Sequence, residues 1–232
     1  MSAARFPEPV SALLFDMDNT LFDLIQAQVA ACTSVAHHLG HDDGDDLFLY
    51  FLNTSHGFES TENIRQYMQE RRIPTNGMYE TACRIYHMEK IRNIVPYPGV
   101  MQSVREIKSL GHPMVIVTDA EKADAVLRLE KCGLLPFFDS IVSYDVVKKK
   151  KPAPEPFLFG LDALHARPEN ALYIGDSPRR DIEPCQKLGI RTVYARYGDR
   201  FSKTRPCTSA DFTIDTMNEL PDIIRSLSLP RA

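Results

Sequence analysis

Tryptophan is absent from the 232 residues, and cysteine is scarce, with five residues in the chain. An odd number of widely separated cysteines fits neither the disulfide framework of a small secreted protein nor the close cysteine pairs of a zinc site. Long apolar runs are also missing. No stretch approaches the roughly 18 residues of a membrane-spanning helix, and the N-terminal region lacks the apolar segment of a signal peptide. We therefore expect a cytoplasmic protein with no membrane partner.

Neither sign of charge is in large excess. The chain has 27 lysine and arginine residues against 31 aspartate and glutamate residues, a net charge of -4, and its sequence pI is near 6.0. This balance gives no general electrostatic attraction to nucleic acid or to an anionic membrane. Hydrophobic residues make up 44% and charged residues 25%, which is typical of a globular protein with a proper core. We expect a monomer or a small homo-oligomer without a nucleic-acid partner.

Short apolar runs alternate with helical patterns over most of the chain. Three of the helical patterns end at Gly111, Gly133 and Gly189, each placed as a helix stop. The repeated order of helix, glycine and strand predicts an α/β fold with a doubly wound, Rossmann-like parallel sheet. The predicted strands span residues 12–15, 113–117, 140–143, 171–174 and 191–194.

Residues 23–95 break this rhythm, because they contain helical patterns and no convincing strand. We therefore predict a catalytic core of residues 1–22 and 96–232, with residues 23–95 inserted as an all-helical cap hinged near its two ends. Within the cap, the acidic segment 42–46 lacks the alternating ligands of an EF-hand calcium loop and is predicted to be a solvated loop. The predicted cap helices span residues 24–39, 46–52, 61–71 and 78–93.

Acidic residues follow the first and fourth predicted strands. Asp16 and Asp18 come directly after the first strand, Asp176 comes after the fourth, and Asp181 lies on the first turn of the next helix. The carboxyl ends of parallel strands face the ligand crevice of such sheets. Carboxylates that meet there need a cation between them or a bound proton, and magnesium prefers these oxygen ligands. For the first pair alone, an exposed acidic turn is the alternative.

The strand ends also supply a hydroxyl group and an ammonium group. Thr118 and Asp119 end the second strand just before a helical pattern, so Thr118 is expected to bind an anion, to cap the helix, or both. Lys151 precedes a rigid Pro-Ala-Pro segment that aims its side chain, whereas residues 148–150 are expected to lie in solvent. Together with the acids, these groups predict a site for a magnesium-bound phosphate.

The four motifs resemble those of the haloacid dehalogenase-like (HAD) hydrolase superfamily, and the resemblance spans nearly the whole chain. It implies that Asp16 is a nucleophile that forms an aspartyl phosphate, and that Asp18 is the general acid and base. It also implies Mg²⁺ held by Asp16, Asp176 and the backbone carbonyl of Asp18. The matching residues are Asp16-Met17-Asp18-Asn19-Thr20, Thr118, Lys151 with its Pro-x-Pro, and Gly175-Asp176 with Asp181.

The resemblance assigns the remaining polar groups as well. Thr118 and Lys151 would hold the phosphate, and Asp181 would orient either Lys151 or a water molecule on the metal. Many relatives have asparagine where this chain has Asp119. We expect the backbone N–H of Asp119, and not its carboxylate, to face the substrate.

The expected function is hydrolysis of a small phosphorylated metabolite, such as phosphoglycolate, a triose or sugar phosphate, or a nucleotide. A phosphomutase remains the main alternative, followed by a 2-haloacid dehalogenase and a non-catalytic binding protein. Asp18 favours a phosphatase over a dehalogenase, because dehalogenases of the family need no metal and typically lack this second acid. Five cap arginines are candidates for binding a second anionic group, with surface salt bridges as their alternative role. They are Arg65, Arg71, Arg72, Arg84 and Arg92.

Overall fold

The computed structural model describes residues 8–53, 56–200 and 209–228. The chain forms two compact units, Met1–Asp23 with Pro96–Ala232 and Leu24–Val95. Within the described residues, no helix has the length and apolar character needed to cross a membrane. Four cysteines are free thiols, and Cys207 lies outside the described residues.

In chain order, the helices of the described part are α1 (Leu24–His38), α2 (Gly44–Leu52), α3 (Glu62–Glu70), α4 (Met78–Arg92), α5 (Val100–Ser109), α6 (Lys122–Lys131), α7 (Tyr144–Val147), α8 (Glu155–Ala163), α9 (Glu183–Lys187) and α10 (Leu220–Ser228).

The discontinuous unit is built on a six-stranded sheet in the order β3-β2-β1-β4-β5-β6. All neighbouring strands pair in parallel, so the predicted α/β doubly wound fold is confirmed. Chain order reverses at β1, where β2 lies on one side and β4 on the other. Such a switch point is the usual ligand crevice of an open parallel sheet. The strands are β1 (Ala12–Phe15), β2 (Met114–Val117), β3 (Ser140–Val142), β4 (Ala171–Gly175), β5 (Arg191–Ala195) and β6 (Phe212–Ile214).

One face of the sheet is covered by α8 and α9. Leu14 and Val117 point to this face and pack in one buried cluster with Phe157 of α8 and Cys185 of α9. Gly160 lets α8 approach the strands, because an added Cβ would lie 2.8 Å from Leu14 Cδ2 and 2.9 Å from Val117 Cγ2. This close packing fixes the positions of β1 and β2 relative to α8, and therefore also the start of the loops that follow these strands.

The unit Leu24–Val95 contains helices α1–α4, as the helical patterns predict. Its own core includes a stacked pair, Phe51 and Tyr86, with ring centroids 4.9 Å apart. The acidic segment is not a loop throughout, which corrects the sequence prediction. Asp43 accepts a hydrogen bond from the backbone N–H of Asp46 at 2.9 Å and caps α2, which begins at Gly44. Acidic residues in a first turn are stabilised by the helix dipole, and this explains the earlier start.

Three buried polar side chains of this second unit hold one short segment. Asn63 donates to the carbonyl of Gly57 at 2.8 Å, and Gln28 donates to the next carbonyl, that of Phe58, at 3.0 Å. Lys90 then pairs with the carboxylate of Glu59 at 2.6 Å. All three donors are almost fully buried. The segment is therefore fixed from inside by side chains that the helical pattern alone does not single out.

Four of the five cap arginines have partners within their own unit. Arg65 pairs with Glu62 at 3.0 Å, and Arg71 pairs with an acid at the start of α2. Arg84 donates to a threonine hydroxyl one turn earlier at 2.9 Å, and Arg92 lies 3.4 Å from Glu89. These are local surface contacts of the kind that contribute little to stability.

Candidate active site

The loops after β1, β2 and β4 lie together at the switch point of the sheet. Phe15, the last residue of β1, pairs with Ile116 of β2 and with Ile174 of β4. The backbone N–H of Asp16 donates to the carbonyl of Ile174 at 2.8 Å, which continues the pairing by one residue. Asp16 is therefore held rigidly at the carboxyl edge of the sheet, with the β4 loop beside it.

Lys151 is the centre of a buried polar cluster. Its Nζ lies 2.5 Å from Asp16 Oδ1 and 2.7 Å from Asp181 Oδ1. Its third contact is the hydroxyl of Tyr173 at 3.1 Å, and that hydroxyl donates to Asp181 Oδ1 at 2.9 Å. Lys151 is 4% exposed, so its charge is directed inward, in contrast to the exposed lysines that precede it.

Asp176 joins the cluster through Thr20. The Thr20 hydroxyl lies 3.1 Å from Asp16 Oδ2 and 3.3 Å from Asp176 Oδ1. A hydroxyl group has one hydrogen, so it serves one of these carboxylates at a time. Oxygen atoms of Asp16, Asp176 and Asp181 lie within 4.8 Å of one another, an arrangement that can hold a metal ion.

Burial dominates the electrostatics of the cluster. Burial raises the pKa of Asp16 to about 6, although Lys151 acts in the opposite direction. Burial also raises the pKa of Asp176 well above its ordinary value, and the carboxylates of Asp16 and Asp181 add to this rise. For Lys151, burial lowers the pKa but the surrounding acids outweigh it, so the net change is upward.

A divalent metal ion fits this set of donors. All available ligand atoms are hard carboxylate oxygens, which magnesium and calcium prefer. Asp181 already accepts three hydrogen bonds, two at Oδ1 from Lys151 and Tyr173 and one at Oδ2 from the backbone N–H of Ser177 at 3.0 Å, which leaves it less capacity for an ion than the other two carboxylates. The oxygens of Asp16 and Asp176 that face each other are therefore the better candidates for direct contact with an ion.

Gly175 lets Asp181 come this close to β4. A Cβ added at Gly175 would lie 2.7 Å from Asp181 Cγ, which is too short for a real contact. A glycine at the end of a strand often marks a place where a ligand approaches the backbone closely. In the structure, the close neighbour is a side chain of the same loop, on the π-helical turn Pro178–Ile182 that leads into α9.

Asp18 has a different environment from Asp16. Asp18 lies between the end of β1 at Phe15 and the turn at residues 19–21, and its carboxylate lies 2.8 Å from the guanidinium of Arg128. Arg128 is fully buried on α6. The sequence offered one sign of this contact: Arg128 occupies the same helical stripe as buried Ala125 and Leu129, where an unpaired charge would be costly.

The loop after β2 carries Thr118 and Asp119. The Thr118 hydroxyl accepts from the backbone N–H of Ala120 at 3.1 Å, while α6 begins at Lys122. Thr118 therefore caps a tight turn before the helix, and its expected role as the cap of the helix itself is wrong. Asp119 accepts from the backbone N–H of Lys151 at 2.9 Å and pairs with Arg180 at 2.5 Å.

A doubly wound sheet with buried carboxylates and a lysine at its switch point is typical of an α/β enzyme that binds its ligand at the carboxyl edge of the sheet. Comparison with known proteins agrees. Residues 13–195 match the family described as "Haloacid dehalogenase-like hydrolase". The chain therefore belongs to this family, as the motif resemblance predicts.

Two curated relatives and one solved structure illustrate the similarity. A glyceraldehyde 3-phosphate phosphatase from Methanocaldococcus jannaschii is 26% identical over 94% of this chain and 98% of that protein. A phosphoglycolate phosphatase from Chromobacterium violaceum is 27% identical over 94% of this chain and 97% of that protein. The structure of a HAD phosphatase from Thermococcus onnurineus has the same fold, with a TM-score of 0.66, 23% identity, and coverage of 95% of this chain and all of that one. The expected enzyme class, a phosphatase of this family, is confirmed.

Proposed function

We propose that this protein is a magnesium-dependent phosphatase that hydrolyses a small phosphorylated metabolite through an aspartyl phosphate on Asp16. The observation that carries this proposal is the buried cluster in which Lys151 contacts Asp16 and Asp181 while Asp176 lies beside them. A phosphoryl group in transfer carries negative charge on its equatorial oxygens, and positioned cations stabilise that charge. The cluster supplies one buried cation and carboxylates suited to hold another.

In the proposed reaction, a carboxylate oxygen of Asp16 bonds to phosphorus as the bond from phosphorus to the leaving oxygen breaks. Asp18 gives its proton to that leaving oxygen. In the second step a water molecule attacks phosphorus, its proton passes to Asp18, and phosphate leaves with Asp16 regenerated. Dividing the hydrolysis in this way replaces one difficult step with two easier ones.

Each of the remaining residues has a proposed task. Lys151 neutralises Asp16 and the phosphate, Thr118 and the backbone N–H of Asp119 bind phosphate oxygens, and Asp181 orients Lys151. Asp16, Asp176 and the backbone carbonyl of Asp18 would hold Mg²⁺. When bound, the ion would neutralise charge on the transferring group. Asp181 stays in a supporting role in this proposal because its oxygens already accept three hydrogen bonds.

We propose that the unit Leu24–Val95 acts as the cap and selects the substrate. The named substrates of the two curated relatives are small phosphorylated carbon compounds, and we place the substrate of this protein in that class. Four of the five cap arginines already have partners within this unit, and binding a second anionic group of the substrate would require them to exchange those partners.

Release of inorganic phosphate from a panel of metabolites tests the proposal. The panel should contain glyceraldehyde 3-phosphate, phosphoglycolate, hexose phosphates and nucleoside monophosphates, with MgCl₂ present. We expect a strong preference for one small metabolite over an aryl phosphate. Isomerised sugar phosphate without phosphate release would indicate a mutase instead. Halide release from 2-chloropropionate would indicate a dehalogenase, and no turnover of any compound would refute the enzymatic proposal.

A further inference from the structure

Asp119 and Arg180 form an ion pair at the edge of the acidic cluster. Arg180 lies immediately before Asp181, and its guanidinium is 2.5 Å from Asp119 Oδ2. The Arg180 side chain is 53% exposed, whereas that of Asp119 is 17% exposed. The other oxygen of Asp119 accepts from the backbone N–H of Lys151. Asp119 thus joins the loops that follow β2 and β4 to the segment that carries Lys151.

An acid at position 119 is unfavourable for the proposed function when considered alone. Asp119 is adjacent in sequence to Thr118, and its contact with the Lys151 backbone keeps its carboxylate at the same edge of the sheet. A negative charge there would repel an incoming phosphate, since like charges repel more strongly in a partly buried site than in water. Asparagine would make the Lys151 contact through its amide oxygen without that repulsion.

We propose that Arg180 is a positioning residue that neutralises Asp119, so that phosphate approaches a neutral pair and not a carboxylate. This inference rests on the proposed phosphatase function and deepens it. Arg180 acts through Asp119 and is not itself a ligand of the phosphate. The pair also ties together the three loops that carry Thr118, Lys151 and Asp181, which an asparagine without the arginine would not do.

The charges around Arg180 agree with this assignment. Burial lowers the pKa of its guanidinium, but Asp119 and then Asp181, Asp16 and Asp176 raise it more, so the net change is upward. Arg180 is therefore a permanent cation, and Asp119 is the acid that it touches. Removing the arginine would leave Asp119 negative beside the phosphate site, and removing both charges together would restore neutrality.

Direct binding of inorganic phosphate, measured by isothermal titration calorimetry in MgCl₂, tests this inference without requiring turnover. Arg180→Ala should weaken phosphate binding about tenfold, because it leaves a partly buried charge unpaired. Asp119→Asn should bind phosphate at least as tightly as the wild type. The double variant Asp119→Asn/Arg180→Ala should return to within about threefold of the wild type, because the two residues are coupled. Arg179→Ala, which removes the same charge at the exposed neighbouring position, is the matched control.

Two outcomes would overturn the inference. If the double variant binds phosphate as weakly as Arg180→Ala, then Arg180 contacts the phosphate directly and does not act through Asp119. If Arg180→Ala binds like the wild type and the Arg179 control, the pair has no influence on the site. Arg180→Lys keeps the charge and should keep most of the binding, which separates the charge effect from a folding defect seen in the melting temperature. Failure of the wild type both to bind phosphate and to release it from any ester would instead refute the proposed function.

Discussion

Lys151 is the residue on which the contacts of the acidic cluster converge. It is buried together with Asp16, Asp181 and Tyr173, and its ammonium group contacts these three side chains. A buried ammonium group is stable only when its partners compensate the lost hydration. These three side chains together compensate the buried charge of Lys151, and each contact can be tested by substituting one residue.

Asp16→Asn should abolish turnover while the fold remains intact. The amide keeps the shape of the side chain but cannot act as the nucleophile, and we expect kcat to fall by roughly 10⁴-fold or more. Phosphate release measures the loss, and circular dichroism measures the fold. The control is Asp162→Asn, which changes an exposed acid on α8. An Asp16→Asn variant with wild-type kcat would exclude the covalent mechanism.

Tyr173→Phe should lower kcat about tenfold, which is the usual cost of removing a group that orients a functional side chain. The variant loses both the donor to Asp181 and the acceptor for Lys151. Tyr194→Phe removes a buried hydroxyl from the neighbouring strand, where its partner is Asp199 at 2.6 Å, and it should lower stability without this loss of rate. Steady-state kinetics and melting temperatures are measured for both variants. If Tyr173→Phe has the same kcat as Tyr194→Phe, the Tyr173 hydroxyl does not contribute to the rate.

At the scale of elements, the turn after β4 depends on the absence of a side chain at Gly175. Gly175→Ala should displace Asp181 from Lys151, because the new Cβ would overlap its carboxyl carbon. We expect a loss of kcat larger than the loss of stability would explain. Gly189→Ala strains a glycine with φ 79 just before β5, at the edge of the sheet opposite the acids, and should lower the melting temperature while preserving kcat. If Gly175→Ala instead lowers the melting temperature while preserving kcat, the role of Gly175 is in packing.

The sequence predicts the elements of this protein well where periodic patterns are long. The four cap helices and five of the strands form within a few residues of their predicted positions. β6 was missed because Phe212–Ile214 is an edge strand of only three residues, too short for a strand pattern to show. α7 was missed because Tyr144–Val147 is a single turn, too short for a helical period to show.

The residues of the candidate site also fall into two groups, those that the sequence predicts and those that it does not. The structure brings together Asp16, Lys151, Asp176 and Asp181. Asp16 and Asp176 directly follow strands, Lys151 precedes a rigid Pro-Ala-Pro segment, and Asp181 lies in the turn after β4, all of which are features that sequence can recognise. Arg128 and Tyr173 were not predicted. Each lies inside an element and resembles a packing residue, and its polar contact depends on which part of the chain folds against it. Sequence spacing carries no information about that partner.

For the whole molecule, we predict that magnesium is required and that calcium binds without supporting turnover. Magnesium demands short, nearly octahedral coordination, whereas calcium accepts more and longer contacts and can engage both oxygens of Asp16. The attacking oxygen would then be occupied. Phosphate release with EDTA, MgCl₂ or CaCl₂ measures the requirement, and thermal shifts by each ion measure binding. Full activity in excess EDTA would reject the metal site.

The order of strands in the sheet has a consequence for synthesis on the ribosome. β1 is made first, but it pairs with β2 and β4, which begin at Met114 and Ala171. Leu24–Val95 is continuous and can fold while the sheet is still incomplete, since domains generally fold as units during synthesis. Lys151 also leaves the ribosome before Asp176 and Asp181. The ammonium group is therefore already present when the last two acids arrive, and the nascent chain does not have to gather all of its carboxylates without a cation among them.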